Sequence, residues 1–481
     1  MLLLAILLIP AVAAGVAYLL PRRGLRLALL VLTSVVHLAL VAVLWATPNV
    51  TALGGWLVPD PLGLIVLTLV SVLFLAASVY AVGLLREESP RGGRLFVTCL
   101  LGFLAATSLV SLSHHFALLW VGMESTTLAV APLIFHRHDR RSLEAVWKYL
   151  VLSSVGIAFA LLAVFLLATS QPVLPGMRAL VLDDILAKSN SLEKSWLRAA
   201  YVFALAGFGT KMGLAPLHTW KPDTYGEAPS LVGALMSGAL TSCAFLGLAR
   251  FTEVAVAAGL TDFTRPLLIA FGLISLVIAA AFIIGQADVK RLLAYSSVEH
   301  MGLLVLGLGV GGIGVYGSVL HVLNNGIAKG MLFLVVGNLV LATGSSVAAD
   351  MRGMLKLRPW SAALLFVGLF AVTGSPPFGL FVSEFSIVSG AIRQDHWLVA
   401  AAMLVLLAII FVGIGGMLLK IIFGTGTETT TDDEKATGDS ALLLVGPLGL
   451  AALVVMLGFY IPTPLQDSLA RAARLLGGVA P

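Results

Sequence analysis

Ionisable side chains lie in the middle of apolar segments that are otherwise suited to cross a membrane. The four central ones are Glu124, Lys211, Lys329 and Glu384. A charge at the centre of a membrane helix costs roughly 2.5–3.5 kcal/mol or more, so such residues are rare outside functional sites. One of them alone is as well explained by a buried ion pair that fixes helix packing. Four of them indicate proton or ion transport.

Histidines in the neighbouring segments extend this pattern. The complete set of candidate proton-pathway residues is Glu124, Lys211, His218, His300, His321, Lys329 and Glu384. Proton transfer needs groups that change protonation state reversibly, and carboxylate, ammonium and imidazole groups do so when their surroundings are tuned. Rows of such groups at membrane depth therefore predict a proton-conducting path.

Proline interrupts two of these segments close to the charges. Pro216 follows Lys211 in the first, and Pro376 and Pro377 precede Glu384 in the second. Proline removes a backbone donor and clashes with the preceding turn. The freed backbone is tolerated at membrane depth only where it is buried in protein or lines a watery cavity. One such helix is commonly just bent, whereas two at corresponding positions indicate an ion pathway.

The composition is that of a membrane protein. Hydrophobic residues make up 59% of the 481 positions, charged residues make up 11%, and the mean hydropathy is +1.04. Apolar runs of roughly 20 residues recur, and each can cross about 30 Å of hydrocarbon. We therefore expect an all-α polytopic membrane protein. Its net charge of +5 is attributed to loops that orient the helices and not to nucleic-acid binding.

Redox and nucleotide chemistry are not expected within this chain. Its two cysteines, Cys99 and Cys243, lie in apolar segments, and the sequence has no CxxC pair and no glycine-rich phosphate loop. We therefore expect no cofactor, no metal site and no catalytic residue in this chain alone. The first apolar run is interpreted as an uncleaved membrane helix, because its arginines follow it.

Hydropathy predicts about 14 spans. Their limits are 2–20, 25–47, 61–85, 95–113, 115–135, 148–170, 198–221, 229–251, 264–286, 291–310, 314–342, 360–391, 397–423 and 440–462. The proline-containing spans seven and twelve are five apart, which predicts two inverted five-helix units, spans 4–8 and 9–13. The predicted division is therefore 1–93 (helices 1–3), 94–251 and 264–423 (the two repeats), and 424–481 (a cytoplasmic loop, helix 14 and the tail).

Loop charges predict the orientation. Loops after odd-numbered spans carry roughly twice as many lysines and arginines as the others, with Lys148 and Lys290 counted among them. The positive-inside rule then places the odd loops in the cytoplasm and both termini outside. Hydrophilic residues also mark 171–195 and 425–440, the latter expected to be a solvated loop. The tail after Ile461 is expected to form an interfacial amphipathic helix.

Five motifs together resemble one family. They are "GMESTTL", "GTKMGLAPLHTWKPDTYGEAPS", "KRLLAYSSVEHMG", "HVLNNGIAKGMLFL" and "GSPPFGLFVSEF". The chain resembles the antiporter-like subunits of the proton-conducting membrane transporter family over roughly spans 4 to 13. This family includes proton-pumping subunits of respiratory complex I, Mrp-type sodium/proton antiporters and group 4 membrane-bound hydrogenases. Within it, the motifs look closest to those of hydrogenase-4 component F.

The resemblance assigns roles to the first group of candidates. Glu124 matches the glutamate of the fifth helix and Lys211 the lysine of the broken seventh helix, and the two are expected to form a coupled pair. His218 matches the histidine just after the helix break.

The resemblance also assigns the second group. His300 matches the histidine after the "YSS" motif, and Lys329 matches the central lysine of the eleventh helix, which also carries His321. Glu384 matches the terminal ionisable site of the broken twelfth helix.

One departure from the family pattern leaves a gap. Many relatives have a lysine in span eight, and Ser242 stands about where it would fall. Either water bridges the distance between Lys211 and Lys329, or His218 substitutes. A nearby lysine, Lys221, is interpreted with Asp223 as a cap on the cytoplasmic half-helix, and the alternative, that it joins the proton path, stays open.

The expected function is that of a proton-translocating membrane subunit in an energy-converting hydrogenase or complex I-like redox complex. The expected partners are the other membrane subunits, the bilayer and, indirectly, a redox arm. We expect the chain in the plasma membrane of a bacterium, which is its inner membrane, or in the plasma membrane of an archaeon. Three alternatives stay open: a Na⁺/H⁺ antiporter subunit, the membrane subunit of an inorganic-carbon uptake complex, and a structural subunit that does not pump.

Overall fold

Helices form almost all of the structure. The computed structural model describes residues 1–87, 93–172, 178–425 and 439–480, and within these ranges only isolated β-bridges accompany the helices. Twelve of the described helices are long and apolar enough to cross a membrane. A helix satisfies its own backbone hydrogen bonds, which the hydrocarbon core requires of any spanning segment. The prediction of an all-α polytopic membrane protein is confirmed.

The chain begins with long membrane helices and one short surface helix. They are α1 (Leu2–Leu19), α2 (Arg23–Ala46), α3 (Pro61–Glu87), α4 (Gly93–Leu112), α5 (Phe116–Ile134), α6 (Arg140–Ser170) and α7 (Leu182–Ala187). The next group is α8 (Lys194–Met212), α9 (Trp220–Glu227), α10 (Ser230–Leu235), a π-helical turn (Met236–Leu240) and α11 (Thr241–Ala257).

The second half repeats the alternation of long and short helices. It consists of α12 (Thr261–Ile283), α13 (Val289–Val310), α14 (Ile313–Thr343), α15 (Met354–Leu357), α16 (Pro359–Val372), α17 (Gly379–Arg393), α18 (Trp397–Phe423), α19 (Ala441–Phe459) and α20 (Thr463–Leu475). Single 3₁₀ turns lie at Leu53–Gly55, Phe135–Arg137, Ser189–Ser191 and Ala348–Met351.

Two membrane segments are interrupted where the sequence has proline. The first lies between α8 and α9 and contains Pro216, and the second lies between α16 and α17 and contains Pro376 and Pro377. A glycine with positive φ begins each interruption, Gly213 at +75° and Gly374 at +62°. The total of fourteen crossings and the inverted repeat remain predictions.

The most deeply buried helices are α11, α13 and α14. In the 18-residue apolar stretch of each span, buried residues make up 100% for the span that contains α11, 94% for α13 and 78% for α14. The corresponding share for α18 is 22%. Helix α14 packs against α13 and α17 and also against α3 and α19. The polar candidates of the second half therefore lie on helices that are surrounded by protein and not by lipid.

Helix α6 begins earlier than hydropathy predicts. Asp139 caps it, because its carboxylate accepts from the Ser142 amide at 2.7 Å while the Ser142 hydroxyl bonds back to the Asp139 amide. Lys148 therefore lies two turns inside a helix, and its placement in a loop was wrong. Lys290 was also counted as a loop charge, but it lies in the first turn of α13 and is buried.

The prediction that α20 is a helix is confirmed, and this helix packs against other helices of the protein. Its buried residues, which include Leu469 and Ala472, face α3 and α14. An interfacial position for it remains a prediction. The predicted solvated loop 425–440 lies outside the described residues except at 425, 439 and 440, and residues 173–177 of the other hydrophilic stretch do so too.

Candidate functional site

Lys211 is held by hydroxyl groups from two other helices. It is the penultimate residue of α8 and is fully buried. Its Nζ donates to Thr127 Oγ1 of α5 at 2.6 Å and to the Tyr149 hydroxyl of α6 at 3.1 Å. The ammonium also lies 4.8 Å from the centroid of the Tyr149 ring, which adds a cation–π contact.

Glu124 reaches Lys211 only through Thr127. The two charges attract each other, but they form no ion pair within 4.0 Å. The Thr127 hydroxyl lies between them and donates to Glu124 Oε2 at 3.3 Å. Residues three apart on a helix share a face, which puts Thr127 and the half-buried Glu124 on the same side of α5. The expected pair is therefore a triad in which the middle group is neutral.

The first helix break is closed by a tryptophan. Trp220 Nε1 donates at 2.8 Å to the carbonyl of Thr210 in the last turn of α8, which also accepts from the Gly213 amide at 3.0 Å. His218 lies within the connection, is buried, and has no hydrogen-bond partner among the described residues for its Nδ1 atom. It hydrogen-bonds to neither Lys211 nor Lys329.

Lys221 is buried, contrary to its interpretation as a cap. Its side chain is fully covered, and its Nζ donates to Ser297 Oγ of α13 at 3.0 Å. Asp223, two residues further along α9, is partly exposed and pairs with Lys148 at 2.8 Å and with Arg291 at 3.0 Å. The capping interpretation is thus wrong for Lys221.

A chain of hydrogen bonds joins three helices in the second half. His300 Nδ1 of α13 lies 3.0 Å from His321 Nε2 of α14, and His321 Nδ1 lies 2.9 Å from Ser383 Oγ of α17. All three side chains are fully buried. An imidazole can accept a proton on one nitrogen and release one from the other, so this chain has the chemistry of a proton wire.

Lys329 and Glu384 are buried, and the part of the chain that the structure describes offers no hydrogen-bond partner to Lys329 Nζ or Glu384 Oε1. The Glu384 carboxylate lies against Gly374 at the second break, where an added Cβ would overlap it. Buried polar atoms of this kind are normally satisfied by water.

One acidic residue of this region was missed in the sequence. Glu299 is 1% exposed, accepts from the Ser296 hydroxyl at 3.0 Å, and interacts electrostatically with Lys329. It lies well inside the predicted span 291–310, so the argument that identified Glu124 and Glu384 applied to it equally. Lys221 gave a weaker signal, because it stood at a predicted span end.

His300, His321 and Glu384 are also close enough to reach one metal ion. Among the described residues, they form the one such group, with ligand atoms within 4.8 Å of one another. The Lys329 ammonium interacts electrostatically with both histidines and would repel a cation there. Three of the four nitrogens of His300 and His321 moreover take part in the hydrogen-bond chain, and the fourth, His300 Nε2, has no partner among the described residues. Proton transfer therefore fits this group better than metal binding.

A second charged cluster shares no residue with this axis. Arg250 of α11 binds the Asp60 carboxylate through both Nη atoms, with Nη1 at 2.9 Å, and Asp60 also caps α3. His114 lies 3.4 Å from Asp60 and 3.5 Å from Asp183 of α7. Glu253 lies 3.4 Å from Arg250.

The electrostatic contacts within this cluster stabilise the charged forms of its side chains. Burial alone would raise the pKa of Asp60, but Arg250 and His114 hold it well below its usual range. Burial alone would likewise lower the pKa of His114, but the carboxylates of Asp183 and Asp60 raise it. The contact with His114 lowers the pKa of Asp183 in turn. The cluster ties the loop between α4 and α5 to three helices.

The chain matches a known family over the region of the axis. The family model described as "NADH:quinone oxidoreductase/Mrp antiporter, TM" matches residues 113–410, which include every candidate from Glu124 to Glu384. A hydrogenase-4 component F homolog of Methylacidiphilum infernorum is 30% identical over 418 residues, 85% of this chain and 86% of the relative.

Two further comparisons agree. An NADH-quinone oxidoreductase subunit N of Desulforudis audaxviator is 32% identical over 353 residues, 73% of this chain and 69% of the relative. A chain of the membrane-bound sulfane sulfur reductase, an archaeal respiratory membrane complex, has a TM-score of 0.86 over 99% of this chain and 98% of its own length. Its sequence identity is 21%, so it bears on the fold alone.

Proposed function

The chain belongs to the NADH:quinone oxidoreductase/Mrp antiporter transmembrane family, and we propose that it moves protons along the axis from Glu124 to Glu384. It is an antiporter-like membrane subunit. The observation that carries the proposal is the series of buried ionisable side chains from Lys211, beside the first helix break, to Glu384, beside the second, which a merely structural subunit would not need.

The Glu124–Thr127–Lys211 triad is the switch in this proposal. While Glu124 is near, its charge stabilises the Lys211 ammonium through the intervening hydroxyl. When a neighbouring subunit draws Glu124 away, Lys211 loses that stabilisation and releases its proton inward. The hydroxyls of Thr127 and Tyr149 can serve both states of Lys211, because a hydroxyl donates as well as accepts.

The second half of the axis receives the proton at Lys329. From there the histidine chain of His300 and His321 carries it across α13 and α14 towards Glu384, the terminal carboxyl beside the second break. Glu299 balances Lys329 while that lysine is charged. Water bridges the unpartnered atoms of Lys329 and Glu384.

The energy source lies in partner subunits. The sequence contains no redox cofactor motif, and relatives of this chain carry the names of hydrogenase and NADH-quinone oxidoreductase components. We therefore propose a complex of the hydrogenase or complex I type, in which a redox arm drives the switch through neighbouring membrane subunits.

The test is proton translocation by the complex isolated through a tag on this chain and reconstituted in proteoliposomes. Acidification is followed with a pH-sensitive dye, with hydrogen, formate or NADH as electron donor. Lys211→Met should abolish acidification while electron transfer continues or slows, and Lys356→Met, at an exposed position of α15, should leave both unchanged. Full acidification by Lys211→Met would refute the role of the axis.

A Na⁺/H⁺ exchange function is the second candidate, because the family description names Mrp antiporters. The same reconstitution separates the two functions when sodium salts are replaced by choline salts. Transport that requires sodium supports exchange.

A structural subunit that does not pump predicts that Glu124→Gln leaves acidification intact. Inorganic-carbon uptake predicts a zinc-containing soluble partner in the isolated complex.

A further inference from the structure

The first helix break is shaped around the side chain of Lys221. Lys221 is the second residue of α9, and its methylene stem lies over Gly213, where α8 ends. A Cβ added at Gly213 would overlap this stem, with Lys221 Cγ at 3.0 Å. The positive φ of Gly213, +75°, adds a second reason for glycine at this point. The break therefore provides a specific place for a buried lysine.

The partners of Lys221 suit both protonation states of an amine. Its Nζ donates to Ser297 Oγ at 3.0 Å and lies 3.4 Å from the Ser297 carbonyl oxygen. No carboxylate of the described residues lies within 4.0 Å of it. A neutral amine can accept a hydrogen bond from the Ser297 hydroxyl, whereas an ammonium donates to it. Lys211, with Thr127 and Tyr149, has the same kind of partner.

Lys290 provides the contrast. It is equally buried, but its Nζ donates to the carbonyl oxygens of Gly226 at 2.7 Å and Ala228 at 2.6 Å. A carbonyl only accepts, so neither contact can donate to the lone pair of a neutral Lys290 amine, as the Ser297 hydroxyl can at Lys221. Lys290 therefore closes the end of α9, and Lys221 differs from it in the property that proton transfer requires.

Lys221 also stands at the gap in the axis. The Tyr149 ring, whose hydroxyl contacts Lys211, is 5.4 Å from the ring of Trp220, the neighbour of Lys221. On its other side Lys221 contacts α13 through Ser297, and its charge interacts with that of Lys329.

Ser242, which replaces the usual lysine of span eight, does not fill that gap. Its hydroxyl donates to the carbonyl of Gly238 in its own helix at 2.6 Å. A serine carries no proton charge at neutral pH, so Ser242 cannot be the charged group between the two halves of the axis.

We propose that Lys221, together with Ser297, is the proton-carrying station between Lys211 and Lys329. This inference rests on the proposed function. The neutral amine of Lys221 takes up the proton that Lys211 releases, and the Ser297 hydroxyl changes from donor to acceptor. The resulting ammonium then passes the proton to the neutral amine of Lys329 and returns to its starting state.

The experiment measures the initial acidification rate per assembled complex in the proteoliposomes described above. Lys221→Met should lower the rate about a hundredfold or more, the range typical of a lost proton-transfer group. Lys221→Arg should lower it as much, because a guanidinium keeps the charge and the donors but does not release its proton. Lys356→Met should retain the wild-type rate.

Three outcomes overturn the proposal. A wild-type rate for Lys221→Arg would show a fixed structural charge. A wild-type rate for Lys221→Met with loss in Lys211→Met would refute the station and leave the proposed function standing. Wild-type rates in both would refute the function itself.

Ser297→Ala covers the case in which Lys221 variants do not assemble. It keeps the lysine and removes only the hydroxyl. An assembled complex with a slower rate and a shifted pH profile is expected. An unchanged rate and pH profile for Ser297→Ala would overturn the proposal.

Discussion

Removing the hydroxyl between Lys211 and Glu124 is the sharpest probe of the switch. Thr127→Val keeps the branched shape of the side chain and deletes one of the two hydroxyl partners of the Lys211 ammonium. The bond lost is the short one, 2.6 Å against 3.1 Å for the Tyr149 hydroxyl. A hydrogen bond to a charged group contributes about 1.5–3 kcal/mol. Since 1.36 kcal/mol corresponds to a factor of ten in rate, translocation should fall about ten- to hundredfold.

The matched control is the neighbouring threonine. Thr126 is also fully buried, but its hydroxyl donates at 2.6 Å to the Met123 carbonyl of its own helix and contacts no axis residue. Thr126→Val should therefore keep most of the acidification rate. Both variants are compared per assembled complex in proteoliposomes. Equal rates for Thr127→Val and Thr126→Val would refute the bridging role of the Thr127 hydroxyl.

Two further predictions concern the second break and the separate charged cluster. Gly374→Ala should slow acidification, because the added methyl group displaces the Glu384 carboxylate. The control is Gly344→Ala, which has a similar φ of +71° but no atom within 4 Å of the added Cβ, so that its acidification rate should reflect backbone strain alone. Equal acidification rates for the two variants would contradict this prediction. The raised pKa of His114 means that its contribution is complete below about pH 6.5 and is lost as the pH rises through the folded value. The lowered pKa of Asp183 means that its contribution is complete above about pH 4 and is lost on further acidification. Hydrogen-exchange protection of the helix that carries Asp183 should therefore be greatest between these values and fall towards alkaline pH, and His114→Gln should remove the alkaline fall.

The long helices were predictable because apolar length can be read directly from a sequence. Most limits agree with the structure within a few residues. The largest difference, at α6, arose because a capping box adds two polar turns before the apolar run begins. Hydropathy has no means of seeing those turns, although the pattern from Asp139 to Ser142 carries the signal.

The contacts of the site could not be predicted in the same way. Lys211 and Thr127 are 84 residues apart, and His321 and Ser383 are 62 apart, so only tertiary packing brings them together. Their residue types gave no advance sign, because buried threonines and serines commonly bond to their own helix, as Ser242 does. The ionisable members were accessible from sequence, and the neutral hydroxyls that connect them were not.

Part of the proposed proton path runs along the axis of helix α14 instead of across it. The helix is unbroken over 31 residues and carries both His321 and Lys329. Eight residues separate the two, which at 1.5 Å per residue is about 12 Å along the helix axis. At an average tilt of about 20°, this is over a third of the hydrocarbon thickness of about 30 Å.

A proton that moves between these two residues therefore crosses a large share of the electric field of the membrane. One elementary charge across 100 mV is worth about 2.3 kcal/mol, so this step alone accounts for about 0.9 kcal/mol. The lateral steps between helices at equal depth bear none of it. The step along α14 is consequently the one whose rate should respond most strongly to an imposed membrane potential.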